Sequence, residues 1–232
     1  MGMSSFPMRI NKYLALKGYC TRKDADLLID IRQVNVNGRP AIIGEKIYET
    51  DKVTVRQHKL KYRYFAYNKP VDVITHSPQG WEKDIAGSIA ISGVFPVGRL
   101  DKASSGLIIL TDDGRITDRL LNPKYKHEKE YRVTTAENLH ATFKQKMEAG
   151  VDIGDHLTRK CKVTVIGEKK FFIIISEGKK HQIRRMCSAL HTDVVALERT
   201  RIMNIKLGNL ASGVHRVISG PELQEFLKEL GF

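Results

Sequence analysis

At 232 residues, 41% hydrophobic and 28% charged, the chain is long enough for an ordinary domain plus a smaller one and apolar enough to fill a core, which excludes a disordered tail. No apolar run approaches the ~20 residues that cross a bilayer, and the N-terminus lacks a signal peptide's apolar segment, so no membrane is expected and the cytoplasm is. Lys and Arg number 39 against 26 Asp and Glu, and the resulting charge of +13 points to a polyanionic partner, nucleic acid foremost.

Residues 8 to 57 read as a compact unit. Ile10, Tyr13 and Leu14 recur at helical spacing, and Gly18 ends that helix. Thr21-Arg22-Lys23-Asp24 has the pattern of a capping box, in which Thr21 and Asp24 satisfy each other's amides, and Ala25, Leu28 and Ile29 supply the buried face of a second helix. Val34-Asn35-Val36 alternates at period two into Asn37-Gly38, the signature of a tight hairpin turn, with Val53 and Val55 as a return strand. Cationic residues outnumber acids ten to six within 9–56, and Arg9, Lys12, Arg22 and Lys23 cluster at the two helix starts.

Met8-Arg9-Ile10-Asn11-Lys12-Tyr13-Leu14, Gly18, Arg22, Ala25 and Val34 through Gly38 together resemble an S4-type RNA-binding domain. The resemblance nominates Arg9, Asn11, Lys12, Arg22 and Lys23 as RNA contacts; Arg32 stands where many such domains carry glycine. A domain of residues 1–58, a basic linker of 59–63 and a larger domain of 64–232 are expected. Tyr64 to Tyr67 is strand-like, and Asn68-Lys69-Pro70 stops it.

From Gly98 to Gly114 the chain reads GRLDKASSGLIILTDDG. Leu107 to Leu110 suits a strand buried on both faces, and the Arg99-Leu100-Asp101-Lys102 loop ahead of it sets a carboxylate between two cations, where a rigid scaffold presents reactive groups. Alone, Asp101 reads more often as a loop cap or a surface ion pair than as a nucleophile. His127 to Val133 ends in strand-like alternation, with Tyr131 able to face a planar ligand or to sit in a core. Lys162 to Ile166 and Phe171 to Ser176 are further strands.

In Glu177 to Met186, Ile183, Met186, Cys187 and Leu190 define the apolar face of a helix. At ~100° per residue Arg185 falls opposite that face, which assigns it to a phosphate, while Arg184 on the shoulder can reach into a cleft. Lys179 and Lys180 precede the helix, where backbone amides also favour anions. Glu222 to Leu230 forms a last helix, with Pro221 in its first turn. Cys20, Cys161 and Cys187 form no CxxC pair and the eight histidines no HExxH spacing, so neither a disulfide nor a metal site is expected.

These segments, in this order, resemble the RsuA-type pseudouridine synthases, ribosomal RNA enzymes with an N-terminal S4 domain, and within that family the large-subunit branch, through His127 to Tyr131, Lys160 to Val163, Arg184 to Cys187 and Leu197 to Asn204. The resemblance implies an α+β fold with a mixed, mainly antiparallel sheet flanked by helices, and no cofactor. It places the catalytic aspartate on Asp101, the uracil-stacking tyrosine on Tyr131 and the arginine that pairs with the aspartate on Arg184. Arg99, Lys102, Lys179, Lys180 and Arg185 are then expected to hold phosphates. The implied partner of a monomer is large-subunit rRNA or an assembly particle, with small-subunit rRNA or a tRNA as alternative targets. A non-catalytic RNA-binding assembly factor fits the same charge, and a glycosylase shares the carboxylate chemistry but would release free uracil.

Overall fold

The computed structural model describes residues 6–56, 61–75 and 84–232, so residues 59 and 60 of the expected linker lie outside it. The chain divides into two compact units, residues 1–62 with 113–116 and residues 63–112 with 117–232.

In the first unit β1 (Met8–Arg9) leads into α1 (Ile10–Leu16), which buries Ile10 and Leu14. Gly18 ends that helix at φ +77°, its amide reaching Ala15 O and the Tyr19 amide reaching Leu14 O at 3.0 Å each, a Schellman closure that favours glycine. α2 (Arg22–Asp30) starts at Thr21, whose Oγ1 accepts the Asp24 amide at 3.1 Å. The expected box is only half formed. The Asp24 carboxylate accepts the Thr21 hydroxyl at 2.6 Å and the Tyr62 hydroxyl at 3.0 Å, because aspartate is a methylene too short for the glutamate's usual reach back to the N-cap amide.

At the other end of α2, Arg32 takes the left-handed position at φ +55°, with its amide on Ile29 O and the Gln33 amide on Leu28 O. The site is exposed and suits glycine, so Arg32→Gly is expected to stabilise the protein by about 0.5 kcal/mol in urea denaturation, the relief of the Cβ clash outweighing the added freedom of the unfolded chain.

Asn37 and Gly38, at φ +51° and +83°, make the hairpin turn, joining β2 (Val34–Val36) to β3 (Arg39–Pro40). Residues 53 and 55 do not return from that turn. β4 (Lys46–Ile47) pairs with β1, and β5 (Val53–Val55) lies on the other side of β2, giving the order β3-β2-β5. The core is Ile10, Leu14, Ala25, Leu28, Ile29, Val34, Val36 and Ile47 together with Cys20, whose thiol burial pushes up to about 11.

The second unit is built on one sheet. Its elements are β6 (Tyr64–Lys69), α3 (Ile85–Ser88), β7 (Phe95–Val97), β8 (Ser105–Thr111), α4 (Ile116–Leu121), β9 (Lys129–Thr135), α5 (Phe143–Ala149), β10 (Lys162–Gly167), β11 (Lys170–Ile175), α6 (Gln182–Ala189), β12 (Val194–Ile202), β13 (Ile205–Lys206), β14 (His215–Val217) and α7 (Gly220–Glu229). Strand order is β10-β11-β9-β12-β8-β6-β14, with β7 on β8 and β13 on β12. β8 and β12 are parallel and every other pairing between the described strands of this sheet is antiparallel, which is the α+β architecture expected.

Leu107 to Leu110 are fully buried, as a central strand flanked on both sides requires. β6 runs on through Asn68 and Lys69 and stops only at Pro70. Gly106, at φ +104°, lies opposite Arg199 in the parallel pair, where a Cβ would stand 2.4 Å from Arg199 O and 2.6 Å from its N. Ile183, Met186 and Cys187 of α6, followed by Leu190, enter the core with Phe143, Phe171 and Ile173.

Candidate active site

A cleft of about 760 Å³ opens on the second unit, between the 98–104 loop, strands β9 and β12, and the turn into α6. The 98–104 loop connects β7 to β8 and is pinned along its length. Thr75 Oγ1 donates to Leu100 O at 2.9 Å and accepts the Leu100 amide at 3.1 Å, both buried. The Asp72 amide reaches Lys102 O at 2.9 Å, and the Ser104 amide turns back to Asp101 O at 3.0 Å. Asp101 projects from this fixed turn into the cleft with its side chain 40% exposed, open enough for a ligand to reach.

Tyr131 reaches the same cleft from β9, where it is nearly buried between Ile173 on β11 and Arg199 on β12. Lys129 is two residues earlier on the strand and so on the same face. Burial, with the neighbouring Arg199 guanidinium adding to it, pulls the Lys129 amine down to about 8. Arg199 is itself buried; its Nε donates to Leu107 O at 2.7 Å and its Nη2 meets no partner among the described residues. Lys69 lies wholly buried at the end of β6, donating to Pro70 O and Val73 O at 2.7 and 2.6 Å. Burial lowers its amine to about 8, against the opposing pull of Asp101 and Asp72.

Lys69 and Lys129 thus each carry a desolvation cost, and for Lys129 the sign can be tested. Below about 8 the amine is charged in both folded and unfolded states, so burial penalises only the fold; above its ordinary 10.5 it is neutral in both. Lys129→Met is therefore expected to melt above wild type at pH 7, with the gain shrinking from about pH 8 and gone by about 10.5 in thermal melts across that range.

The 177–182 turn is organised by a buried carboxylate. Glu177 accepts the Gln182 amide group at 2.8 Å, the Arg159 backbone amide at 2.8 Å and the His156 ring at 3.2 Å. Burial pushes its carboxyl up, but these donors together hold it below the usual range. Gln182 Oε1 in turn accepts the Lys179 amide at 2.9 Å, closing the turn on itself. The turn delivers His181, at φ +53°, to the first position before α6, and its Nε2 lies 3.5 Å from Asp101 Oδ1.

The second unit's nominated residues divide. Asp101, Tyr131, Arg99, Lys102, Lys179 and Lys180 all line the cleft. Arg184 does not pair with Asp101. Its Nη1 donates to Val194 O at 2.9 Å and its Nη2 to Ala103 O at 3.0 Å, so the guanidinium is spent on carbonyls and braces the loop two residues beyond the aspartate. Arg185 is also not free for a phosphate: it is paired with the Asp155 carboxylate and bonded to Ile153 O. On the first unit Arg9, Arg22 and Lys23 are exposed and Lys12 is half-buried, while Asn11 donates to Asp26 at 3.5 Å.

His181, Lys129, Arg199, Lys69 and Glu177 were not among the residues nominated from the sequence. A signal did exist for Lys129, since period two sets it on the face of Tyr131 and Val133. Nothing local marked His181, which meets Asp101 only through the fold.

The arrangement joins an open carboxylate, an aromatic wall and a cationic rim, a set suited to holding a nucleotide and stabilising positive charge on its sugar. The family described as RNA pseudouridylate synthase matches residues 63–189. The dual-specificity RNA pseudouridine synthase RluF of Escherichia coli K12 is 38% identical over 95% of this chain and 79% of its own. The ribosomal small subunit pseudouridine synthase A of Vibrio cholerae is 32% identical over 95% of this chain and all of its own. A crystal structure of a pseudouridylate synthase superposes with a TM-score of 0.69 at 26% identity, covering 96% of this chain and 99% of that one. The chain belongs to the RNA pseudouridine synthases, enzymes that isomerise uridine within RNA.

Proposed function

We propose that the enzyme isomerises a specific uridine of ribosomal RNA in the cytoplasm, that the target lies in the large subunit, and that Asp101, Tyr131 and Arg184 carry the reaction. The observation that carries this reading is the pinned, half-open Asp101 carboxylate sharing one cleft with Tyr131. As the C1′–N1 bond lengthens, positive charge develops at C1′, and a carboxylate held against the sugar stabilises or attacks it. The detached uracil turns beneath Tyr131, C5 bonds to C1′, the C5 proton leaves to solvent, and N1, freed of the sugar, takes up a proton, so that the product is an isomer of the substrate. Arg184 serves by holding the Asp101 loop through Ala103 O. A uridine inside a helix presents neither sugar nor base face to a pocket, so the target is flipped or in a distorted loop.

Arg99, Lys102, Lys179 and Lys180 at the cleft rim are placed to hold flanking phosphates, giving affinity that falls steeply with salt. Residues 1–58 act as an S4 RNA-binding domain through Arg9, Asn11, Lys12, Arg22 and Lys23, joined by the 59–63 linker to the catalytic domain 64–232. Two weak RNA contacts so joined act as one stronger contact.

The large-subunit assignment rests on the resemblance carried by His127 to Tyr131, Lys160 to Val163, Arg184 to Cys187 and Leu197 to Asn204; the dual specificity in the name of RluF is a reason to offer a second class of RNA, and a tRNA is the one to try. A small-subunit target is favoured instead by the match along the whole length of the Vibrio enzyme. The experiment is to incubate the enzyme with unmodified large-subunit rRNA, small-subunit rRNA and tRNA, then map pseudouridine by carbodiimide adducts and primer extension. One new stop in the large-subunit rRNA is expected; a stop only in the small-subunit RNA would overturn the assignment.

A further inference from the structure

Asp101 and its surroundings are tied to a single helix from two directions. Arg184, in the first turn of α6, donates to Ala103 O and Ser104 Oγ and so fixes the backbone just beyond Asp101. His181, the residue before α6, brings its Nε2 to 3.5 Å from Asp101 Oδ1. The rigid element that sets the carboxylate's backbone therefore also sets the group that faces its oxygen.

The backbone at His181 reinforces this reading. At φ +53° it occupies the left-handed region, which histidine, like asparagine and aspartate, enters more readily than other side chains, and its side chain makes no cap bond to α6. Its placement is held by the buried Glu177–Gln182 pair, and the helix begins on its own carbonyl, which accepts the Arg185 amide at 2.9 Å. The imidazole meets the carboxylate, which Arg99 and Lys102 flank on its own loop.

We propose that His181 is a positioning residue for Asp101: with a proton on Nε2 it donates toward Oδ1, which leaves Oδ2 presented to C1′ of the uridine. At 3.5 Å the contact is longer than a hydrogen bond, as catalytic contacts often are before substrate closes them. This rests on the reading of Asp101 as the group that meets C1′.

The test compares wild type with His181→Asn and His181→Gly, two residues that accept the left-handed backbone while removing the ring. Single-turnover rates with saturating enzyme and RNA Kd values at one salt concentration are measured side by side, with thermal melts. The expected result is a rate about 10- to 100-fold lower in both variants, unchanged Kd, and melting temperatures at or above wild type. Wild-type rates in both variants, or a loss confined to Kd, would overturn the inference while leaving the role of Asp101 intact. If wild type itself makes no pseudouridine on any RNA offered, the functional reading fails instead.

Discussion

Asp101→Asn is expected to lower turnover by at least about 10³-fold while RNA affinity stays the same or tightens slightly. The amide preserves the shape of the side chain but removes the charge that must meet C1′, so the loss falls on a state in which positive charge has developed at the sugar. Affinity is spared because a carboxylate among phosphates contributes nothing attractive to binding. The 98–104 loop is also held by contacts that do not involve the carboxylate, namely the Thr75, Asp72 and Arg184 bonds to backbone oxygens and the Leu100 amide. Folding should therefore be unaffected, and melts of the variant should overlay those of wild type. Single-turnover rates and Kd at one salt concentration measure the two effects separately.

Gly106→Ala is expected to destabilise the protein by about 4 kcal/mol or more, enough to leave little folded material. Two costs combine. The residue sits at φ +104°, outside the conformations an alanine adopts readily, and its new Cβ would stand 2.4 Å from a backbone oxygen of the neighbouring strand. Backbone cannot turn aside as a flexible side chain can, so relief would require β8 and β12 to part at their parallel pair. Gly178→Ala is the matched control: its Cβ would meet nothing within 4 Å and its φ lies outside the left-handed region, so urea denaturation should find it within about 0.5 kcal/mol of wild type.

What could be read from the sequence was local. The Leu107–Leu110 run, the apolar face of α6 and the Asn37-Gly38 turn each follow from spacing within a few residues, and all three stand in the structure. The family resemblance brought Asp101 and Tyr131 to one place, and both line the cleft. What spacing could not supply was pairing at a distance. Helical periodicity correctly turned Arg185 away from the core, but it could not show Asp155, thirty positions earlier, waiting to neutralise it. Arg184 was given the right direction and the wrong partner, since the carbonyls of Ala103 and Val194 reach it before Asp101 does.

The strand order has the same origin. β8 pairs with β12, more than eighty residues later, and no pattern within β8 names that neighbour. Buried cations were the least legible class, because Lys69, Lys129 and Arg199 belong to a residue type that ordinarily faces water.

Tritium release from C5-labelled uridine in unmodified large-subunit rRNA, with wild type and Asp101→Asn in parallel, tests the central claim most directly. The account predicts release by wild type alone, with no free uracil in the supernatant. Equal release by both proteins would remove Asp101 from the chemistry, and labelled free uracil with no tritium released to water would show a glycosylase in place of an isomerase.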